Sequence, residues 1–349
     1  MKPITIHAHR LRSKPTHARN IDILPVLFLV TALFCLPAGS DSPALNSLAI
    51  VFVSIVLEAI PFMLVGALVG GLIEAFVSHE RLAAMLPKNG WRTVCVAAAA
   101  GILFPVCECA VVPVVRRLMG KGLPFSAAIA YLLAGPIVNP VVAVSTALAY
   151  AFDWRVVALR LALGYVIAVI IGLVMGRIFA STPPGILGIM DTTMVQGCGC
   201  GCSHAMAADD WLGKVGSAFC HAIDDFLAVG HYLVIGAFIA ALSQTYIERS
   251  TFLTVTGAPF LAEGLMMLLA ILLNLCSEAD AFIAASMQGI MPLSAQMAFM
   301  LTGPMFDLKL LLMYGGIFRR RVITILVTFI LLVVFVASIG LGWIEGTCP

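Results

Sequence analysis

Apolar residues run in long blocks along this chain, near 23–37, 48–77, 93–115, 124–151, 156–180, 222–247, 252–275, 294–316 and 323–344. A bilayer core of about 30 Å takes about 20 helical residues to cross, so each block predicts a membrane element, the first of them short. The pattern lapses between 181 and 220, where Pro183-Pro184, a Gly/Cys run and Asp209-Asp210 read as a linker. The predicted fold is all-α and polytopic. A basic tail spans 1–22, and an extra transmembrane helix and loop span 23–44. A first membrane repeat covers 45–180, the linker 181–220, and a second repeat 221–349.

The repeat rests on matched interruptions of the apolar pattern. Phe104-Pro-Val-Cys107-Glu-Cys109, Leu123-Pro124 and Gly135-Pro136-Ile-Val-Asn139 recur as Leu275-Cys276-Ser-Glu278-Ala-Asp280, Met291-Pro292 and Gly303-Pro304-Met-Phe-Asp307. Offsets at Cys107/Cys276, Pro124/Pro292, Pro136/Pro304 and Asn139/Asp307 are 169, 168, 168 and 168 residues. Leu64-Val-Gly66-Ala67 likewise returns as Val234-Ile-Gly236-Ala237. Glycine and proline inside membrane segments free backbone groups that protein, ligand or water must satisfy. Paired breaks in two halves point to a binding site near the bilayer midplane. Counting four elements in each half predicts two parallel repeats, with 93–115 and 124–151 as candidates for re-entrant segments.

Composition agrees with a membrane class. Hydrophobic residues are 61% and charged residues 11%, against about 45–50% and 25% in soluble domains. That excludes an ordinary soluble enzyme and a nucleic-acid binder, and makes the lipid bilayer the main partner. The net charge of +2 is uninformative, but Lys2, Arg10, Arg12, Lys14 and Arg19 crowd the start of the chain. Positive residues are retained inside, so the N-terminus is expected in the cytoplasm of a multi-pass, bacterial-type inner-membrane protein. A homo-oligomer is compatible with this reading.

The candidate chemistry sits at the breaks. Cys107 and Cys109 flank Glu108, and thiolates bind soft metals and, by the same logic, trivalent arsenic or antimony. Cys276 offers a third thiol from the other half. An acid inside a membrane segment is costly and marks a functional position. Glu278, Asp280 and Glu58 are therefore candidates to carry coupling protons, since burial favours the uncharged acid. Asn139 and Asp307 follow the two Gly-Pro breaks, where they could line the pore or cap a half-helix. Cys198, Cys200, Cys202 and His204, spaced by glycine, could turn toward one soft metal ion, although zinc sites usually show wider spacing; a linker or a disulfide is the plainer alternative.

Phe104-Pro-Val-Cys-Glu-Cys-Ala-Val-Val-Pro113, Lys121-Gly-Leu-Pro124 and Gly135-Pro-Ile-Val-Asn-Pro140 resemble the predicted-permease family typified by ArsP, the organoarsenical efflux permease. Leu275-Cys-Ser-Glu-Ala-Asp280 is similar to that family's partner motif. The resemblance covers about residues 45–345. It implies export of trivalent methylated or aromatic arsenicals, with Cys107 and Cys109 as the metalloid-binding residues. Many relatives carry Ser where this chain has Glu108. No G-x4-G-K-[ST] sequence occurs, so the chain carries no ATP site of that type, and proton coupling is the expected energy source. Two other classes are compatible with the thiols: a membrane thiol redox protein, or a soft-metal transporter or delivery subunit that receives metal at 198–204.

Overall fold

The computed structural model describes residues 43–76, 87, 90–102, 107–180, 211–246 and 260–346, and every element among them is helical. In chain order these are α1 (Pro43–Phe76), α2 (Gly90–Ala99, extended by a 3-10 turn Ala100–Ile102), α3 (Glu108–Gly120), α4 (Phe125–Ala134), α5 (Pro140–Ala149) and α6 (Trp154–Ile178). They are followed by α7 (Trp211–Tyr246), α8 (Leu261–Leu273), α9 (Ser277–Ser286), α10 (Leu293–Met305), α11 (Leu308–Gly315) and α12 (Arg320–Glu345). Each run opens on a long helix, continues through short pieces and closes on a long helix.

Proline, glycine and capping residues set the short pieces. Pro124 precedes α4, which ends at Gly135. Pro140 occupies the first turn of α5, where its missing N–H costs nothing. Together α4 and α5 form one broken crossing laid antiparallel along α6. Gly176 lies against Ser126, Gly172 against Ala130 and Gly164 against Ile137, each too close for a Cβ. Arg160 then reaches Thr146 near the start of α6. Segment 124–151 therefore crosses the bundle and does not re-enter.

Segment 90–120 does re-enter. Near the C-terminal end of α6, Val94 packs over Gly172; farther in, Gly101 presses on Gly135 and the Val138 carbonyl beside the α4–α5 break. The chain then turns back as α3 and reaches the start of α4 within a few residues. The expected break at Phe104-Pro105 falls outside the described residues. The α8–α9 pair makes the matching hairpin from the opposite end. Ser294, at the start of α10, donates to Glu263 at the start of α8 at 2.8 Å. Tyr150, just past α5, donates to Gln296 in α10 at 2.7 Å. The broken pair α10–α11 then crosses to the other end, where the Phe125 ring meets Phe179 and Phe318 at centroid distances of 5.7 and 6.1 Å. Finally α12 returns, and Arg155 pairs with Glu345 at 2.9 Å.

Because each hairpin leaves by the end it entered, each half makes three crossings: its first long helix, its broken helix and its last long helix. An odd number inverts the second half. The long helices α1 and α7 indeed run antiparallel, with Phe52 edge-on to Phe238 at 6.0 Å, Met63 over Gly230 and Gly71 against the Ala218 carbonyl. Corresponding helices thus have opposite direction, which corrects the parallel arrangement expected from four elements per half. The matched glycines now have a use: Gly66 meets Ala110 at the start of α3, and Gly236 meets Lys309 at the start of α11. One end of the bundle carries Arg92, Arg116, Arg117, Lys121, Arg177 and Arg319 to Arg321; at the opposite end the described cations include Arg155.

Candidate functional site

Four half-helices, α3, α5, α9 and α11, start at the breaks, and their first turns carry N–H groups that have no partner inside the helix itself. The crossing pair caps its own ends. Asn139 accepts from the Val142 N–H at 2.9 Å and donates to the Gly135 carbonyl at 3.2 Å, so it spans the break. Asp307 accepts from the Leu310 N–H. Asn139→Ala is expected to lower stability by about 1 kcal/mol, read as a drop in thermal midpoint of the detergent-solubilised protein. The hairpin tips differ: Cys107 and Cys276 occupy the N-cap positions of α3 and α9 and make no side-chain cap bond.

Both tips open on one cavity of about 40 Å³, large enough for water. Its wall includes the thiols of Cys107, Cys109 and Cys276, the carboxylates of Glu58, Glu108 and Glu278, and the Lys309 ammonium. Cys276 donates its S–H to Glu58 at 2.8 Å, and Ser277 donates to Glu278 at 3.3 Å. Lys309 Nζ lies 3.2 Å from Glu108 Oε1 and 3.6 Å from Asp307 Oδ2, with all three side chains almost fully buried. With its side-chain amide turned so that the nitrogen faces the acid, Asn274 closes this group by donating to Asp307 Oδ1 at 3.1 Å. It sits at φ +50°, a left-handed conformation that asparagine tolerates.

Seven predicted positions thus converge: Cys107, Glu108, Cys109, Cys276, Glu278, Glu58 and, behind Lys309, Asp307. Asn139 does not line the cavity, and neither does Asp280. Asp280 is fully buried against Gly303, with no hydrogen-bond partner for either carboxylate oxygen. Cys198, Cys200, Cys202 and His204 lie outside the described residues. Among the described residues no three His, Cys, Asp or Glu side chains are placed to hold a metal ion.

Arg160 was not among the candidates read from the sequence. It is fully buried. Its guanidinium donates to Thr146 Oγ1 and the Ser277 carbonyl, each at 2.7 Å, and more weakly to the Met300 carbonyl at 3.5 Å. Asp280 lies within electrostatic reach of its charge, with no hydrogen bond between them. The signal was available: an arginine inside an otherwise apolar run is rare unless paired.

Fold and site together define a polytopic helical membrane protein with a polar, thiol-lined cavity between opposed breaks. The chain belongs to the ArsP-type family described as "Predicted permease", whose pattern matches residues 44–342. It is 40% identical over 308 residues to the UPF0718 protein YcgR of Bacillus subtilis (strain 168), covering 86% of this chain and 98% of that protein. It is 36% identical over 283 residues to a "Putative two-component membrane permease complex subunit" of Streptococcus mutans serotype c, covering 81% of this chain and 90% of the relative. No solved structure matches it significantly.

Proposed function

We propose that this chain is a secondary permease that exports a thiophilic substrate, with trivalent organoarsenicals first in line, through the cavity between the hairpin tips. The observation that carries this reading is that Cys107 and Cys109 of one tip and Cys276 of the other line the same cavity, although in this closed arrangement they are not placed to hold one ion together. Three soft sulfur ligands suit arsenic(III), and ligands drawn from both halves can sense which side is open. Glu58 and Glu278 in the wall, and Asp280 behind it, would carry the coupling protons. The inverted order of elements supports descent from a duplicated unit. The basic end is assigned to the cytoplasm by the positive-inside rule, which agrees with a cytoplasmic N-terminal tail.

The three carboxylates in the wall favour one further reading, a soft metal cation as cargo. The Streptococcus relative's description as a complex subunit adds that a partner chain could complete such a system.

Uptake of trivalent methylarsenic into everted vesicles tests the first reading. Uptake should require a proton gradient and should fall at least about tenfold when Cys107, Cys109 and Cys276 are all replaced by serine, since the sulfur ligands supply the affinity. A well-expressed parent protein that takes up no arsenical removes that substrate, and a screen of soft metal ions then decides the second reading.

A further inference from the structure

We propose that Lys309 and Arg160 are two latches, one for each face of the membrane, which hold the α2–α3 and α8–α9 hairpins closed over the cavity. The meaning of the latches rests on the permease reading, but their geometry does not depend on any substrate. Each hairpin enters and leaves by one end of the bundle, so opening it exposes the cavity to that end alone. The α2–α3 hairpin belongs to the basic end, and the α8–α9 hairpin to the opposite one.

The tips pack on their neighbours, α3 against α1 at Gly66 and α9 against α5 and α10, but their first turns lack the side-chain caps that fix the other half-helices. The crossing half-helices α5 and α11 are fixed by their own caps, Asn139 and Asp307. The tip half-helices α3 and α9 have no such cap. Instead the first residue of each is held by a cation from the opposite half. Lys309, on α11, binds the Glu108 carboxylate at 3.2 Å. Arg160, on α6, binds the Ser277 carbonyl at 2.7 Å, while Thr146 on α5 anchors the other arm of its guanidinium at 2.7 Å. Only the tip positions correspond, 277 to 108 at the offset of 169; the cations come from elements that do not correspond, α11 and α6. One contact joins a second-half cation to a first-half tip, and the other does the reverse.

Glu108 Oε2, Arg160 Nε and both oxygens of Asp280 have no hydrogen-bond partner within the protein, and Glu108 borders a cavity large enough for water. Lys309 and Arg160 are positioning residues in this scheme; they act on the tip thiols through Glu108 and Ser277.

Side-selective thiol labelling tests the latches in the full-length protein, with the seven cysteines other than Cys107, Cys109 and Cys276 replaced by serine. A membrane-impermeant maleimide is applied to right-side-out and to everted vesicles. With both latches intact, the tip thiols should react slowly from either side. The three changes E108Q/D307N/K309M, which remove one latch without leaving Asp307 as an unpaired buried charge, should speed labelling of Cys107 and Cys109 by roughly ten- to a hundredfold, the loss expected for a charge-assisted hydrogen bond, and only from the basic end. R160Q/D280N should speed labelling of Cys276 only from the opposite end. Lys309→Arg, which keeps the cation, should preserve protection. A rise of equal size from both sides, a rise from the wrong side or no rise overturns the proposal. Should R160Q/D280N fail to accumulate, Thr146→Val must give a smaller rise with the same sidedness, and a flat response there overturns it equally. One-sided labelling with no arsenical uptake removes the substrate and leaves the latches; uptake with sideless labelling removes the latches alone.

Discussion

Lys309→Met is expected to cost the folded protein about 3–5 kcal/mol, the usual penalty for stranding one partner of a buried ion pair. Lys309 Nζ is the cation between Glu108 and Asp307, and all three side chains are at most 4% exposed. With methionine there, two carboxylates remain in a site without bulk water. The double variant Glu108→Gln/Lys309→Met should recover part of the loss, because it removes one of the two stranded carboxylates and leaves Asp307. The measurement is a double-mutant cycle on unfolding in detergent. Equal losses for the single and the double variant would mean that the pair is not the source of the penalty.

Gly236→Ala should destabilise by about 1–3 kcal/mol through overpacking. A Cβ there would sit 2.9 Å from the Lys309 Cα and 3.1 Å from its Cβ. Neither is a flexible side-chain end, so α7 itself would have to move away from α11. Gly340→Ala serves as the control, since nothing lies within 4 Å of its added Cβ. Comparing the two thermal midpoints checks the claim, and equal shifts would contradict a tight α7–α11 contact. Because Lys309 is the residue displaced, Gly236→Ala should also disturb the cavity wall.

Much of this architecture was legible in the residues. Breaks at Gly135-Pro136 and near Gly303-Pro304 are helix chemistry that needs no tertiary information, and capping by Asn139 and Asp307 was one of two roles foreseen. The inversion was hidden for a specific reason. Hydropathy reports that 93–115 is apolar but not whether the chain crosses or turns back, and one such decision changes the parity of each half. Helix α9 was missed as an element because Ser277, Glu278 and Asp280 interrupt its apolar pattern; its burial comes from packing on α5 and α10. Asp280 was legible as an intramembrane acid, but the nearby charge was not. Arg160 lies 120 residues away, and no local pattern links them. The pairing of Lys309 with Glu108 joins residues 201 apart in the chain and needs α3 and α11 side by side.

The odd number of crossings bears on how the protein is made. At the offset of 168, Lys121 and Arg177 correspond to Gly289 and Glu345, and Arg319, Arg320 and Arg321 correspond to Ala151, Phe152 and Asp153. Each of these equivalent pairs lies at opposite ends of the bundle, and in each the arginine or lysine is on the same end. Loop cations are what the insertion machinery reads as it orients nascent segments. An isolated half-chain of this kind would have to be threaded in both orientations to build one working pair. A single polypeptide whose loops have been sorted by charge removes that requirement: the ribosome delivers one upright and one inverted unit in fixed ratio, already side by side.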